Sequence, residues 1–431
     1  MSASDTSFST SLFETLTGDR PGNVKELSES AAEHEPGSFL RHVGSLSMTK
    51  LADGLIDPKL VLSWLMQAVG APAALVSWLV PVREAGSLLP QLFTAPHVRQ
   101  MPQRKWAWAA GSLIQGLAAA AIVVIALTMQ GMAAGLAMLV ALGVLAIARS
   151  LSSVSYKDVL GKTVDRTRRG TTTGIATSVS AAGVILFAII LMSGVVERMS
   201  LVIGAISLAA VLWVAAAALF STLREEDQPG EDKGSIGLSE LSLLWKDTDL
   251  GKFVIARVLL LPTALAPPYI VLLAAQAGDN RFGALGAMVL ASALASLVSS
   301  YIWGRLADRS SRKVLIFTGL VAAAFLALAV VLGWSGLMGT IWASPVALFG
   351  LMIGYQGVRL GRSTYLVDMS PKDDRAAYTA VSNTTVGVML LAFGAASSAL
   401  AMAGPEMVLI VYAGICVVAS GVAFTMKEVS E

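Results

Sequence analysis

Cysteine is almost absent from this sequence. Cys416 stands alone in the last apolar run, so no internal disulfide framework forms. Histidine is nearly as scarce: His34, His42 and His97 are isolated, none lies deep in an apolar run, and no Cys/His cluster has metal-ligand spacing. Glycine-rich phosphate loops, nucleotide-hydrolysis motifs and hydrolase triads are missing too. The chain is therefore expected not to be an enzyme, to hold no metal and to need no cofactor. Charge is the third deficit. With 14% charged against 55% hydrophobic residues and a mean hydropathy of +0.70, the chain cannot cover a soluble surface with polar groups. A net charge of +2 gives no basic footprint for a nucleic acid, and none is expected as partner. The first 40 residues are polar and lack a basic start followed by an apolar core, so no cleavable signal peptide is expected.

What is present is apolar runs. About 20 apolar residues cross a bilayer as a helix. Twelve runs meet that measure, near 42–66, 72–95, 106–128, 134–159, 171–194, 200–222, 253–274, 283–303, 314–334, 342–366, 377–402 and 407–426. The spacing predicts an all-α integral membrane protein of twelve transmembrane helices in two pseudo-symmetric six-helix halves. A polar N-terminal tail (1–41) precedes the first half (42–222), and a linker (223–252) with Pro229-Gly230 and eight acids between Arg224 and Lys252 precedes the second (253–426). A short tail (427–431) follows. With both termini inside, the inner segments hold 21 of the 31 Lys and Arg, and the outer loops hold two, Arg198 and Arg281. Basic loops are retained in the cytoplasm, so the expected setting is multi-pass in a plasma (bacterial inner) membrane with both termini cytoplasmic.

Between spans 8 and 9 lies G-R-L-A-D-R-S-S-R-K, Gly304–Lys313, with Arg305, Arg309, Arg312 and Lys313 around the single acid Asp308. The pattern G-x-L-x-D-R-x-x-R-K between two membrane helices resembles the signature loop of the major facilitator superfamily (MFS), which sits between helices 2 and 3 and recurs between helices 8 and 9. Sliding the chain by 208 residues sets Ala95–Lys105 against Trp303–Lys313, with Arg104-Lys105 on Arg312-Lys313. Pro96 and Gln100 stand there in place of the signature Gly and Asp. In span 4, Leu145, Arg149, Ser152 and Ser153 resemble the family's L-x-x-x-R-x-x-Q-G, with the two serines replacing Gln and Gly. The resemblance implies a secondary transporter working by alternating access, in which Gly304, Asp308, Arg309, Arg312 and Lys313 serve gating rather than substrate binding.

A charge inside a span costs roughly 2.5–3.5 kcal/mol on insertion scales, so it faces a cavity or a partner. Asp53, with Lys50 one turn before it, Arg83-Glu84, Arg149, Arg257, Arg359 and Arg362 all lie inside spans. Tyr355, Arg359 and Arg362 share one helix face, and a slide of 206 residues sets Arg149, Ser153 and Tyr156 on the matching face of span 4. The family's cavity is lined by helices 1, 4, 7 and 10, which implies that Asp53, Arg149, Ser153, Tyr355 and Arg359 surround one space. Guanidiniums there suit an anionic or zwitterionic substrate. In relatives the span-4 arginine is linked to proton coupling with an acid in helix 1. The coupling candidates are therefore Asp53, Arg83 and Glu84. For Asp53 a structural bridge to Lys50 competes with that role, and Arg362 is read as a partner for Asp368. The serines of span 8, Ser292, Ser296 and Ser299, are read as helix-packing residues. Pro262, Pro267 and Pro268 break span 7, as a static kink or a gate.

The leading function is a secondary active transporter of a small molecule, driven by a proton gradient and working as a monomer in membrane lipid. Two alternatives stand beside it. An efflux antiporter is disfavoured because span 5 lacks G-P-x-x-G. A non-transporting MFS-like assembly or receptor factor is disfavoured because a scaffold has no use for membrane-depth charges.

Overall fold

The computed structural model describes residues 3–19, 27–227, 238–277, 284–371 and 374–429; Arg281 and the middle of the linker fall outside them. In chain order the helices of the first half are α1 (Ala3–Thr17), α2 (Glu29–Leu55), α3 (Val61–Ala68), α4 (Ala73–Val76), α5 (Leu79–Leu88), α6 (Gln91–Gln100), α7 (Lys105–Thr128), α8 (Gly131–Thr163), α9 (Arg166–Ser193) and α10 (Arg198–Ser221). Those of the second half are α11 (Leu243–Lys246), α12 (Thr248–Leu259), α13 (Pro262–Leu265), α14 (Pro267–Gln276), α15 (Ala284–Ala307), α16 (Ser311–Trp334), α17 (Ala343–Met369), α18 (Arg375–Leu400) and α19 (Pro405–Phe424). Among the described residues, nine helical segments are long and apolar enough to cross a membrane. The crossings made by α2–α3, α4–α6 and α17 complete a twelve-helix arrangement. Those three carry most of the membrane-depth charges, which lowers their hydropathy.

Several edges differ from the sequence reading, each for a local reason. The first crossing begins at Glu29 rather than 42, because Ser28 caps it, its hydroxyl accepting the Ala31 amide at 3.2 Å. It stops at Leu55. There Asp57 accepts the amides of Lys59 (2.6 Å) and Leu60 (3.3 Å), and Pro58 has no N–H to continue the ladder. The second crossing is three short helices, with α4 starting after Pro72 and α6 after Pro90. In the seventh, Pro262 and Pro267 each restart the chain as the first residue of a new helix. The polar tail is more than a tail. Phe13 of α1 meets Phe39 edge-on at 5.3 Å, and Arg168 lies 5.1 Å over the Phe13 ring. Arg168 also pairs at 2.6 Å with Glu35, whose oxygen accepts the Asp165 amide.

The halves are built alike. In the first, α7 packs on α8 and α10; in the second, α16 packs on α17 and α19. Small residues let these helices close: a Cβ on Gly116 would lie 2.9 Å from the Ala210 carbonyl of α10. Leu117, Val140, Val211 and Val418 are exposed on the outside, the inverse of a soluble surface.

The described flanks of the linker (223–227 and 238–247), the loops at 101–104 and 308–310, and Ser370 and Asp374 share one end of the bundle, called here the linker end. The halves meet from mid-depth to the opposite end. There α9 packs on α15, α5 and α4 on α18, and α3 on α14. A Cβ on Gly286 would sit 2.8 Å from the Ala188 carbonyl, and Ser398 donates to the Ala74 carbonyl at 3.0 Å. Among the described residues no helix pair joins the halves in this way at the linker end. The bundle is closed at one end and parted at the other.

Candidate functional site: two charged cavities

In the first half the centre is Asp53, on the last turns of α2. One oxygen accepts from Arg83 of α5 at 2.8 Å, and the other from Arg149 of α8. The two guanidiniums differ in access. The Arg83 side chain is 9% exposed and the Arg149 side chain 39%, so one is locked in the protein and the other faces open space. That space is a cavity of about 300 Å³ lined by Lys50, Asp53, Gln115, Arg149, Ser153 and Tyr156 among others. The Tyr156 hydroxyl is buried without a hydrogen-bond partner. Its ring packs on His42, which is fully buried and bonds Thr163 at 2.7 Å.

The second cavity, about 370 Å³, lies between the halves, among α2, α9, α15 and α17. Its polar lining includes Lys50, Asp57, Lys59, Tyr355, Gln356 and Arg359, with Ser292 and Ser296 of α15 opposite Thr177 and Ser180 of α9. Lys59, buried to 7% exposure, places its ammonium 3.5 Å from the Tyr355 ring centroid, and Arg359 sits 5.9 Å from the same ring. This cation–π contact joins the first half to the second. Arg359 is exposed into the cavity.

Asp53, Arg149, Tyr355 and Arg359 thus line two neighbouring cavities that share Lys50. Asp53, Arg149 and Ser153 line the first cavity, Tyr355 and Arg359 the second, and Lys50 lines both. α8 packs on α2, α5 and α7, and α17 on α15 and α16. Asp53 bonds Arg83 and Arg149 rather than Lys50: a neighbour one turn away on the same helix loses to two forked donors from facing helices. Arg83 and Glu84 diverge. Among the described residues Glu84 makes no ion pair within 4 Å, but it lies in the electrostatic field of Lys59, Arg83, Arg362 and Arg359. Among the described residues Arg362 makes no ion pair with Asp368, which is exposed at the linker end, and the electrostatic field of Glu84 reaches it. Ser292 and Ser296 are cavity residues, not packing residues; Ser299 is buried.

The signature loop belongs to its own half. Ser310 caps α16 through the Lys313 amide and donates to Glu428 at 2.7 Å. Arg312 approaches the same carboxylate at 3.3 Å and donates to the Met426 carbonyl. Asp308, Arg309 and Lys313 are exposed, and Gly304 has open space around its α-carbon. Among the described residues no ion pair reaches Asp308, since the halves part at this end. Sequence reasoning missed Gln115, Gln356, Thr177 and Ser180. Their signal was the one that exposed the charges, a polar side chain inside an apolar run.

Residues 259–430 match the model of the Major Facilitator Superfamily. No curated protein matches the sequence. Among solved structures the chain is similar to a variant of the nucleoside transporter NupG (TM-score 0.70, 12% identity, 90% of this chain and 99% of that one). It is also similar to a POT family transporter in complex with 5-aminolevulinic acid (0.67, 11%, 90% and 95%) and to a D-xylose-proton symporter (0.67, 10%, 91% and 98%). The second half of the chain thus matches the family's sequence model, and nearly its whole length shares the fold of these solved transporters.

Proposed function

We propose that this protein is a secondary active transporter of a small anionic or zwitterionic solute, in an inward-open state with the linker end in the cytoplasm. The observation that carries the reading is the cavity between the halves, lined by Lys50, Lys59 and Arg359 and closed only on the side away from the linker. A bundle that packs its halves at one end and parts them at the other has a second arrangement available by rocking, and a polar lining at the pivot gives the solute a stopping place. The placement of basic residues supports the orientation: 21 of 31 Lys and Arg fall in the segments assigned to the linker side.

Proton coupling runs through Asp53 in this reading. Both its oxygens are occupied by guanidiniums. Arg149 is the releasable partner, because it reaches the open cavity while Arg83 does not. A proton taken up by Asp53 releases Arg149, and Lys50, which lines both cavities, ties that change of charge to the solute in the second one. Purified protein in liposomes tests the function directly. An inward proton gradient should drive accumulation of a labelled anion or zwitterion above its equilibrium level. Solute entry indifferent to the gradient sinks the coupling, and no entry of any solute sinks the transport reading. Labelling of Arg312→Cys by an impermeant reagent added outside intact cells would reverse the orientation.

A further inference from the structure

The deep charges of the second half have no counter-ion of their own. Arg257, Arg359 and Arg362 lie in α12 and α17, and no Asp or Glu lies within any of that half's apolar runs. Arg257 is the most telling of the three. It is 6% exposed, and among the described residues it donates only to neutral acceptors on α18, the Ser382 hydroxyl at 2.5 Å and the Asn383 amide oxygen at 2.9 Å. Its Nε has no hydrogen-bond partner. Its charged neighbour is another cation, Arg362. A buried guanidinium without a carboxylate is a large cost to carry unless something else brings the negative charge. The acid whose field reaches Arg359 and Arg362 comes from the other half: Glu84 of α5, which has no ion pair of its own among the described residues.

Three cations and one borrowed acid leave a surplus of two positive charges. On the wall shared with Arg359, Lys50 and Lys59 add two positive charges and Asp57 offsets one of them. The cavity of about 370 Å³ sets the size of the missing partner at that of a small metabolite.

Resting on the transporter reading above, we propose that the arginine face of the second half is a subsite for a small organic dianion, a phosphate monoester or a dicarboxylate. Glu84 occupies the anion's electrostatic place in the empty carrier. Arg359, exposed to the cavity, makes the first contact; Arg362 follows, with Arg257 behind it fixed by Ser382 and Asn383. The dianion displaces Glu84 from the field of Arg359 and Arg362. When the dianion leaves, Glu84 returns and holds the two halves' charges in balance for the empty return step. A solute with one negative charge replaces Glu84 without gain, so the site selects for two.

The test is ligand-dependent thermal stabilisation of the full-length purified protein, with glycerol 3-phosphate and succinate as dianions, lactate as monoanion and glycerol as neutral control. At least one dianion should stabilise the wild type at concentrations where lactate and glycerol do not, and the better of the two names the head group. Glu84→Gln removes the competitor, so the concentration giving half-maximal stabilisation should fall several-fold. Arg359→Gln removes a charge-assisted contact worth about 1.5–3 kcal/mol, so that concentration should rise roughly 10- to 100-fold. Arg359 is exposed, so its loss spares folding, and Arg359→Lys should recover part of the binding. An unchanged or weakened dianion response in Glu84→Gln, or equal responses to lactate and succinate, overturns the proposal. Flux separates the two claims. A protein that carries only neutral solutes into liposomes keeps the transport reading and loses the dianion site. One that binds dianions with the stated mutational pattern but moves none keeps the site and loses the transport reading.

Discussion

In the first half, Arg83 and Arg149 close on one carboxylate, Asp53. In the second, Arg257, Arg359 and Arg362 have none, and the buried one of the three leans on a hydroxyl and an amide. Two halves of one architecture therefore handle the same cost by different means. The first pairs both its guanidiniums with one internal carboxylate and leaves one of them, Arg149, with a route to water. The second keeps its positive charge uncompensated beside the cavity between the halves. A charge satisfied at home suits a device that changes partner during a cycle; a charge left open suits a device that waits for a ligand. On the proposed reading, coupling belongs to the first half and substrate recognition to the second.

The largest effect that divides them is expected at Asp53. Asp53→Asn keeps the shape but removes the titratable group, so gradient-driven accumulation in liposomes should disappear while exchange between equal pools persists. Accumulation that survives moves the coupling role to Glu84. Next come the two guanidiniums. Breaking a buried ion pair from one side costs about 3–5 kcal/mol. Arg83→Ala, at a side chain 9% exposed, should approach that cost and lower the melting temperature sharply. Arg149→Ala, at 39%, should destabilise much less and instead reduce transport. Equal melting shifts would erase the distinction between anchor and releasable arm.

Smaller again is the contact between the halves. Lys59→Gln removes the cation–π contact on Tyr355, worth about 0.5–2 kcal/mol. The closed end should then open more often, by roughly 2- to 30-fold in population, read as faster labelling of a cysteine placed at Ser398. The smallest effect sharpens the comparison most. Arg257→Met replaces an uncompensated buried cation by an apolar side chain of similar length. It strands the acceptors of Ser382 and Asn383 but relieves a desolvated charge. The melting temperature should move by no more than about 1 kcal/mol in equivalent stability, in contrast to Arg83.

Much of the frame was legible in the sequence. The twelve apolar runs, the loop Gly304–Lys313 and the proline-broken seventh crossing are local signals, because run length, charge and the missing proline N–H act within one segment. The same prolines were visible in the second run, at Pro72, Pro81 and Pro90, yet its hydropathy reads as one helix; helix restarts leave no trace in an average. The signature loop's first copy has lost Gly and Asp to Pro96 and Gln100, and the family's model accordingly matches only 259–430. Membrane-depth charges announced themselves, but their partners did not. One-dimensional spacing favours Lys50 for Asp53, whereas the donors come from α5 and α8, distant in sequence and fixed only by packing. The division of the cavity in two was equally hidden, since it depends on which end of the bundle is closed.

Rocking of the halves is the central claim, and distance measurement between spin labels tests it most directly. One pair, Gln100 with Asp374, spans the halves at the linker end; another, Gln130 with Met402, spans them at the opposite end; all four residues are exposed. With a bound substrate and a proton gradient, the linker-end distance should shorten as the opposite-end distance lengthens. Two distances that stay fixed, or that change in the same direction, would contradict alternating access in this protein.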